Sequence, residues 1–374
     1  MDNIRVFWEE AGVYGYFLVV LSLLFLIHIY YIIYKAIVIL HKEGRPAGQE
    51  REGVSIIITA HNCADALRKN LVGFLMQDCE NYEVIVVDDC SEDDTREMLS
   101  ELQKEYPRLK CTHIHPDTKF RFTKKLAINI GILSARHDIL LFSEANCYPA
   151  SSSWARVMQA CFEEDTAVVV GFSNYRGSDR PLAWKRYFRF TRFLEMLLLA
   201  KSRKSVLGDG CNMAYRKSYY MRNRGFAGDT QSYLGYDNDM VQELAKYGKV
   251  KVTKNRESYM HVDQTDREIG GASYYFASKA RWPLRLRARV GMGASVRVLI
   301  YLLSLFLIFS KILPEYLFVL IALVFLLDVI SVNIFAKCFL QQKLFVTSFV
   351  VNIAGFAYRW YWNGYSFFNP KKWK

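Results

Sequence analysis

Residues 54–95 indicate the fold, and they read VSIIITAHNCADALRKNLVGFLMQDCENYEVIVVDDCSEDDT. The β-branched run 54–59 predicts a buried strand, and the apolar run 82–89 predicts a second one. Between them, residues 63–77 repeat leucine and phenylalanine at helical spacing. Residues 91–106 begin with an acidic turn, which suits the positive end of a helix dipole. This alternation predicts an α/β domain whose sheet is mostly parallel and carries helices on both faces.

The same alternation continues along the chain, with a strand at 110–115, a helix at 124–135 and a strand at 138–143. In parallel sheets of this kind, ligands bind at the carboxyl ends of the strands. The polar residues that follow the strands are therefore expected to share one edge of the sheet. They form three short segments, 59–62, 88–91 and 143–146.

Apolar runs outside this sheet predict membrane-spanning helices. The first, residues 16–34, matches the roughly 20 residues that cross a bilayer. It lacks the short apolar core and the small-residue cleavage site of a signal peptide. Further runs lie at 296–310, 317–335 and 344–358, and two or three of them are expected to span. We predict an N-terminal segment and anchor (1–40), a cytoplasmic linker (41–53), a sheet domain (54–270), an interfacial amphipathic segment (271–293) and a transmembrane region (294–374).

The distribution of charge predicts an orientation and a class of partner. Lys35, His41, Lys42 and Arg45 follow the first apolar run, so the positive-inside rule places the sheet domain on the cytoplasmic side of the inner or plasma membrane. The net charge of +12 favours contact with anionic lipid headgroups and phosphates. No nucleic-acid recognition module is visible in the sequence. The eight cysteines are scattered, which fits a reducing compartment and does not fit a zinc site. Membrane lipids are therefore expected partners, and nucleic acids are not.

Four motifs, in their order along the chain, resemble family 2 glycosyltransferases with a GT-A fold. They are residues 54–95, FTKKLAINIGILSARHDILLFSEANCYP (122–149), YLGYDNDMV (233–241) and SKARW (278–282). The resemblance implies a GT-A, Rossmann-like sheet domain that is flanked by transmembrane helices. It also implies an inverting glycosyltransferase of the hexosyltransferase type.

In that family the first motif binds the nucleoside of a nucleotide sugar. The resemblance assigns Thr59, Asn62, Asp88 and Asp89 to the nucleoside pocket. There a carboxylate accepts hydrogen bonds from the base or the ribose. The alternative for one of the two aspartates is capping of the helix that is predicted to begin near Ser91.

Basic residues are expected to contact the donor diphosphate. Lys124 and Lys125 open a predicted helix whose N-terminus favours anions, the alternative being a solvated surface. The resemblance places Arg281 beside the diphosphate and Trp282 against a sugar. Ser278 stands where the family motif has Gln, which disfavours a processive polysaccharide synthase.

The third motif supplies the expected catalytic residues. By its match to the family, Asp237 takes the position of the base that removes the proton from the acceptor hydroxyl, and Asp239 lies two residues later. The alternative for Asp239 is capping of the helix that follows. The basic and aromatic segment 184–199 fits either a core helix or a helix lying on a membrane.

The stretch SEAN (143–146) stands where the family has an Asp-x-Asp metal motif, with Glu144 in place of the first acid and Asn146 in place of the last. Hard cations accept amide oxygen as well as carboxylate oxygen. Mn²⁺ or Mg²⁺ is therefore expected to enter together with the donor diphosphate. His261 is a candidate replacement ligand, and a packed histidine is the alternative. A metal-independent reaction, in which the two lysines and Arg281 neutralise the leaving group, stays open.

These expectations combine into one function with two rivals. The protein is predicted to transfer a sugar from a nucleotide-sugar donor, with a UDP-sugar as first choice, to a lipid-linked or glycan hydroxyl at the cytoplasmic membrane face. This reaction would belong to cell-surface glycan biosynthesis. The rival within the class is a processive polysaccharide synthase. The rival outside it is a membrane scaffold that binds sugar nucleotide without catalysis, which the Glu-x-Asn sequence favours.

Overall fold

The chain separates into two compact units. The computed structural model describes residues 12–41, 52–115, 124–176, 180–201, 207–222, 225, 236–263, 284–341, 344–352 and 361. The helical unit comprises residues 1–41 and 281–361, and the sheet unit comprises residues 42–280 and 362–374. In chain order the elements are α1 (Val13–Leu40), β1 (Val54–Ala60), α2 (Ala64–Leu75), β2 (Tyr82–Asp89), α3 (Thr95–Glu105), β3 (Leu109–Ile114), α4 (Lys124–Ser134), β4 (Ile139–Glu144), β5 (Cys147–Pro149), α5 (Trp154–Ala160), β6 (Thr166–Val170), β7 (Ser173–Tyr175), α6 (Arg180–Lys201), β8 (Met213–Arg216), α7 (Lys217–Arg222), α8 (Tyr236–Leu244), β9 (Lys249–Val252), β10 (Met260–Val262), α9 (Leu284–Phe309) and α10 (Pro314–Cys338).

Seven strands of the sheet unit form the main sheet, in the order β3-β2-β1-β4-β8-β6-β9. The pairs β1–β2, β1–β4, β2–β3 and β6–β9 are parallel, whereas β8 runs antiparallel between β4 and β6. A second sheet has the order β5-β10-β7. The mostly parallel α/β sheet predicted from the sequence is confirmed. The antiparallel strand β8 is an addition that the sequence pattern did not predict.

Burial of β-branched residues positions the central strands. Every residue of β2 is buried, and in β1 only Thr59 is partly exposed. Helix α4 approaches β1 at Gly131, where an added Cβ would lie 2.6 Å from Ile57 Cγ2. The glycine therefore lets α4 lie close against the sheet.

Helix α6 is a core helix, which decides between the two interpretations of segment 184–199. Its buried apolar residues include Phe190, Phe193, Leu194 and Leu197. The helix packs against β7 and β9 of the sheet unit. Two of its arginines, Arg189 and Arg192, contact acids of the same unit.

The helical unit contains α1, α9 and α10. By length and composition, α1 and α10 are apolar enough to cross a membrane, and the 293–309 part of α9 is a shorter apolar helix. The backbone of α9 is helical without a break across residue 293. The three helices share an apolar cluster that includes Leu21, Ile300, Leu307, Leu317 and Val324.

A buried polar cluster also joins these helices. Arg297 Nη1 lies 2.9 Å from Asp328 Oδ2 and donates a 2.6 Å hydrogen bond to Asn352 Oδ1. His28 Nε2 lies 3.6 Å from Asp328 Oδ1. Charged groups in an apolar bundle are stable only when they are paired in this way. The cluster therefore fixes which faces of α1, α9 and α10 meet.

Candidate active site

The predicted ligand-binding residues lie at one edge of the main sheet. In the strand register, Thr59 of β1 stands opposite Glu144 of β4, and Ala60 stands opposite Asp88 of β2. Neighbouring strands are about 4.8 Å apart. The structure therefore brings the ends of β1, β2 and β4 together.

Asn62 connects the loops that follow β1 and β2. Its backbone has a positive φ of 48°, which asparagine tolerates better than most residues. Its backbone N–H donates to Ser91 Oγ at 2.9 Å, and its Oδ1 accepts from the N–H of Glu92 at 2.6 Å. The loop expected to contact the nucleoside is thus held by its own internal hydrogen bonds.

Asp88 and Asp89 have different surroundings. Asp88 accepts from the Ser91 N–H at 3.1 Å through Oδ1 and lies 3.0 Å from His113 Nδ1 through Oδ2. Asp89 is 6% exposed, and its Oδ1 has no hydrogen-bond partner among the described residues. Burial raises the pKa of the Asp89 carboxyl, against the opposing effect of His61. Of the two carboxylates, Asp89 is therefore the one whose Oδ1 can accept a hydrogen bond from a ligand.

The capping alternative for these aspartates is not what the structure contains. Helix α3 begins at Thr95, later than the sequence predicted. Asp93 accepts from the N–H groups of Ala64 and Thr95, each at 3.2 Å. Asp88 instead closes the turn at Ser91.

Two lysines at the start of α4 contact acids from two other elements. Lys124 Nζ contacts both carboxylate oxygens of Glu144 at the end of β4. Lys125, which is 3% exposed, places Nζ 3.9 Å from Asp239 Oδ2 on α8. The two residues expected at the diphosphate therefore join the metal-motif position to the predicted catalytic segment.

Asn146 lies where β4 turns into β5. Its Nδ2 donates to the carbonyl of Asp263 at 2.9 Å, and its own carbonyl accepts from the Asp263 N–H at 2.8 Å. His261 stands opposite Tyr148 in the β5–β10 pair, with ring centroids 5.1 Å apart. Asn146 therefore pairs with Asp263, which lies two residues after His261 in the chain. Burial lowers the pKa of His261, which favours the neutral imidazole that metals bind.

These residues can hold a cation only together with another ligand. Among the described residues, no three His, Cys, Asp or Glu side chains come together as a metal site. Glu144 at the end of β4 and Asn146 in the turn two residues later both carry side-chain oxygens that a cation can bind. Mg²⁺ and similar cations complete such shells with substrate phosphates. The donor set therefore fits a divalent ion that arrives with a diphosphate.

Asp237 is buried at the first turn of α8. Its Oδ1 accepts from the Asn238 N–H at 2.9 Å, and its Oδ2 lies 3.2 Å from Arg192 Nη2. Burial raises the pKa of the Asp237 carboxyl, although Arg192 opposes the shift. A carboxyl with a raised pKa is a stronger base once ionised.

A second buried ion pair lies beside it, and the sequence analysis missed it. Arg189 Nη2 lies 3.1 Å from Asp209 Oδ2, which also contacts Ser173 Oγ. Gly208 precedes this aspartate, and an added Cβ there would lie 2.6 Å from the Asp237 carbonyl oxygen. The only signal in the sequence was an aspartate between two glycines in the stretch GDG (208–210).

Two predicted residues, Arg281 and Trp282, lie outside the described residues. Their expected contacts with diphosphate and sugar therefore stay predictions.

His113 is an addition to the site, because no local pattern in the sequence predicted its contact with Asp88.

Comparisons with known proteins relate this chain to glycosyltransferases. Residues 55–223 match the family model described as glycosyl transferase family 2. A Bacillus subtilis (strain 168) protein named uncharacterized glycosyltransferase YfnE is 33% identical over 137 residues, which cover 36% of this chain and 31% of that protein. The Escherichia coli protein named UDP-Glc:alpha-D-GlcNAc-diphosphoundecaprenol beta-1,3-glucosyltransferase WfaP is 29% identical over 126 residues, which cover 33% of this chain and 46% of that protein. The chain thus spans less than half the length of these two relatives.

One solved structure shares the fold over most of the chain. It is the mannosyltransferase PcManGT from Pyrobaculum calidifontis in complex with GDP-Man and Mn²⁺. The TM-score is 0.56 at 15% identity, and the match covers 90% of this chain and 98% of that one. The predicted GT-A-like fold class is confirmed.

Proposed function

Residues 55–223 form a glycosyltransferase family 2 domain, and from that premise we propose that the protein is an inverting, membrane-anchored glycosyltransferase. It transfers a sugar from a nucleotide-sugar donor, with a UDP-sugar as the expected class, to a hydroxyl of a lipid-linked acceptor. The reaction takes place at the cytoplasmic face of the membrane and contributes to cell-surface glycans.

One observation carries this proposal. Lys124 and Lys125 are consecutive residues, yet the first contacts Glu144 and the second lies near Asp239. They therefore join the carboxyl end of the sheet to the acidic segment of α8. An enzyme that transfers a sugar from a nucleotide needs the groups that bind the donor and the base that deprotonates the acceptor within one site.

Three groups are proposed for the donor. Asp89 Oδ1 accepts a hydrogen bond from an N–H or O–H group of the nucleoside, since this oxygen has no hydrogen-bond partner among the described residues. Thr59 is the partly exposed residue of β1 at the same edge. The N-terminus of α4 carries two lysines toward an anion, which suits a diphosphate.

The chemistry follows from the proposed roles. The acceptor oxygen forms a bond to the anomeric carbon on the face opposite the leaving group. The bond from that carbon to the diphosphate oxygen breaks, and the nucleoside diphosphate leaves with the electron pair. Asp237 takes the acceptor proton as the new bond forms. One displacement inverts the configuration at the anomeric carbon.

A divalent metal is proposed to accompany the donor. Glu144 and Asn146 would hold the ion, with His261 as a further candidate, and the bound ion would stabilise negative charge on the leaving diphosphate. Lys124 also lies close enough to Glu144 to moderate the charge that the ion meets.

Two observations support a lipid-linked acceptor. The printed name of the Escherichia coli relative contains a diphosphoundecaprenol-linked sugar. Two helices of this chain, α1 and α10, have the length and composition of membrane spans. The proposal thus puts the acceptor lipid in the same membrane. Ser278 in place of Gln makes a processive synthase the less favoured alternative.

The contact between Lys124 and Glu144 favours a second candidate, a protein that binds sugar nucleotides without catalysis. A cation of the protein already neutralises the first acid of the metal motif. In this case the domain would bind nucleotide and scaffold a membrane partner.

Product analysis separates the two candidates. Full-length protein in lipid nanodiscs is supplied with UDP-sugars and GDP-sugars, with and without Mn²⁺, and with polyprenyl-diphosphate-linked sugars as acceptors. We expect mass spectrometry to find one hexose added to the lipid and an equal amount of nucleoside diphosphate released. Nucleotide binding without any turnover across the panel would refute the enzyme and favour the scaffold. The Asp237→Asn variant should bind donor but transfer no sugar.

A further inference from the structure

Two arginines on α6 face two acids of the sheet unit. Arg189 and Arg192 are three residues apart and therefore share one face of the helix. Arg189 pairs with Asp209, and Arg192 pairs with Asp237. All four side chains are largely withdrawn from solvent. The two pairs are similar in geometry, but only one of them contains the proposed base.

The guanidinium of Arg192 holds several groups around that base. Its Nη2 donates to the Gly208 carbonyl at 2.6 Å and lies 3.2 Å from Asp237 Oδ2 and 3.3 Å from Asn238 Oδ1. Asn238 Oδ1 also accepts from the Gly208 N–H at 3.0 Å. Arg192 thus fixes both the carboxylate of Asp237 and the loop that lies against it.

The charges around Asp237 act in opposite directions. Burial is the largest effect and raises the pKa of Asp237, and the nearby Asp209 raises it further. Arg192 on α6 and the Asn238 N–H lower it. At the same end of α8, Lys125 of α4 faces Asp239. An acceptor hydroxyl can be deprotonated only by the ionised form of the base.

We propose that Arg192 is the positioning residue for the acceptor base, keeping Asp237 ionised and its carboxylate correctly oriented during sugar transfer. This inference rests on the proposed function. Arg192 does not touch the reacting atoms in this scheme, and it acts through Asp237. A structural ion pair would stabilise the fold equally well but would not set the pH at which transfer begins.

The test is the pH profile of kcat/KM for full-length protein, measured from the released nucleoside diphosphate. The variants are Arg192→Gln, Arg192→Lys, the matched control Arg189→Gln, and Asp237→Asn. An opposite charge at this distance typically lowers a carboxyl pKa by about one to three units. The acidic limb is the part of the profile where kcat/KM falls as the base becomes protonated. We expect Arg192→Gln to move this limb up by at least about one pH unit, so that kcat/KM at pH values below the limb falls about tenfold.

Arg192→Lys should keep the limb within a few tenths of a unit of wild type, because its charge remains. Arg189→Gln should lower the unfolding temperature and move the limb much less than Arg192→Gln does, because Arg189 acts on Asp237 only through Asp209. An unmoved limb in Arg192→Gln, or an equal movement in Arg189→Gln, would overturn the inference. If Arg192→Gln does not fold, Arg192→Lys is the deciding variant. A limb in Arg192→Lys that is displaced from wild type by as much as the limb in Arg189→Gln would then overturn the inference.

The controls distinguish this inference from the proposed function. Absence of turnover in wild type would refute the proposed function. Full activity of Asp237→Asn would refute the base assignment and, with it, the inference. Loss of activity in Asp237→Asn together with an unmoved limb in Arg192→Gln would leave the function intact and refute only the role of Arg192.

Discussion

Lys124 Nζ contacts both carboxylate oxygens of Glu144, so the first acid of the proposed metal motif already has a cationic partner. Both side chains are partly buried, which makes the attraction stronger than at an open surface. A divalent ion at this position must share Glu144 with the lysine. The contact therefore connects metal affinity to a residue that is not a metal ligand.

Removing the lysine should tighten metal binding. In Lys124→Met, Glu144 keeps its full charge for the ion, so we expect the Mn²⁺ concentration for half-maximal activity to fall about tenfold, while kcat also falls because a diphosphate contact is lost. A tenfold change corresponds to about 1.4 kcal/mol. This is well below the roughly 4 kcal/mol attraction between two unit charges at intermediate dielectric. Initial rates in a Mn²⁺ titration measure both effects. Lys246→Met, at an exposed pair with Glu243, is the matched control. An unchanged or weaker metal response would contradict the competition.

Asp89 and Asp88 should differ in their contribution to nucleotide binding. Asp89 has an unpartnered oxygen among the described residues, so Asp89→Asn should raise the nucleotide Kd about tenfold to a hundredfold, as expected for loss of a hydrogen bond to a charged group. Asp88 already contacts Ser91 and His113, so Asp88→Asn should mainly lower stability. Calorimetric titration with nucleoside diphosphates measures the first effect and thermal unfolding the second. Equal losses of affinity would show that the two carboxylates share one role.

The Arg189–Asp209 pair should make the sheet unit sensitive to acid. Burial raises the pKa of Asp209, but Arg189 and Arg192, together with hydrogen bonds from Ser173 and Cys211, outweigh burial and bring the pKa below its ordinary value. The pair therefore contributes stability above about pH 4, the ordinary range of an aspartate, and loses it as pH falls through the lower folded-state pKa. We expect Asp209→Asn to cost about 3–5 kcal/mol at pH 7, because it leaves Arg189 buried without its charge partner.

Chemical denaturation of wild type and Asp209→Asn at pH 7 and at pH 3 checks this. The difference between the two proteins should shrink at the lower pH. Asp165→Asn, which affects an exposed pair with Lys249, should show little change at either pH. A difference that grows on acidification would have the wrong sign for this explanation.

The polar cluster of the helical unit should tolerate joint replacement better than single replacement. Arg297→Met leaves Asp328 buried with one cationic partner fewer, and should cost about 3–5 kcal/mol. The double variant Arg297→Met, Asp328→Leu removes both charges and should recover most of that loss. Unfolding by increasing SDS in mixed micelles measures the series. A double variant no better than the single one would mean that the helices need the charges themselves.

Sequence patterns predicted most of the ligand edge of the sheet. The predicted strands at 54–59, 82–89 and 138–143 correspond closely to β1, β2 and β4. These strands could be predicted from the sequence because fully buried parallel strands are short, apolar and rich in β-branched residues. The polar residues that follow them were then placed by topology alone.

Other parts of the site depend on contacts between distant residues. Arg192 meets Asp237 across 45 positions of sequence, and Lys125 approaches an acid on α8. Local periodicity contains no information on such pairs, so the charges of α6 fitted both a core helix and a membrane-lying one. The start of α3 was misplaced for a local reason, since Asp93 rather than an earlier residue accepts from the Thr95 N–H.

The position of β8 has a consequence for how the protein is made. This strand lies between β4 and β6, although it follows both of them in the chain. During synthesis, β4 and β6 therefore have no partner between them until the ribosome has released residues 213–216. Unpaired strand edges recruit other chains, and late, long-range pairing slows folding. Nascent chains that stop before residue 216 should be the most prone to aggregate, and chaperone demand should fall once that point is passed.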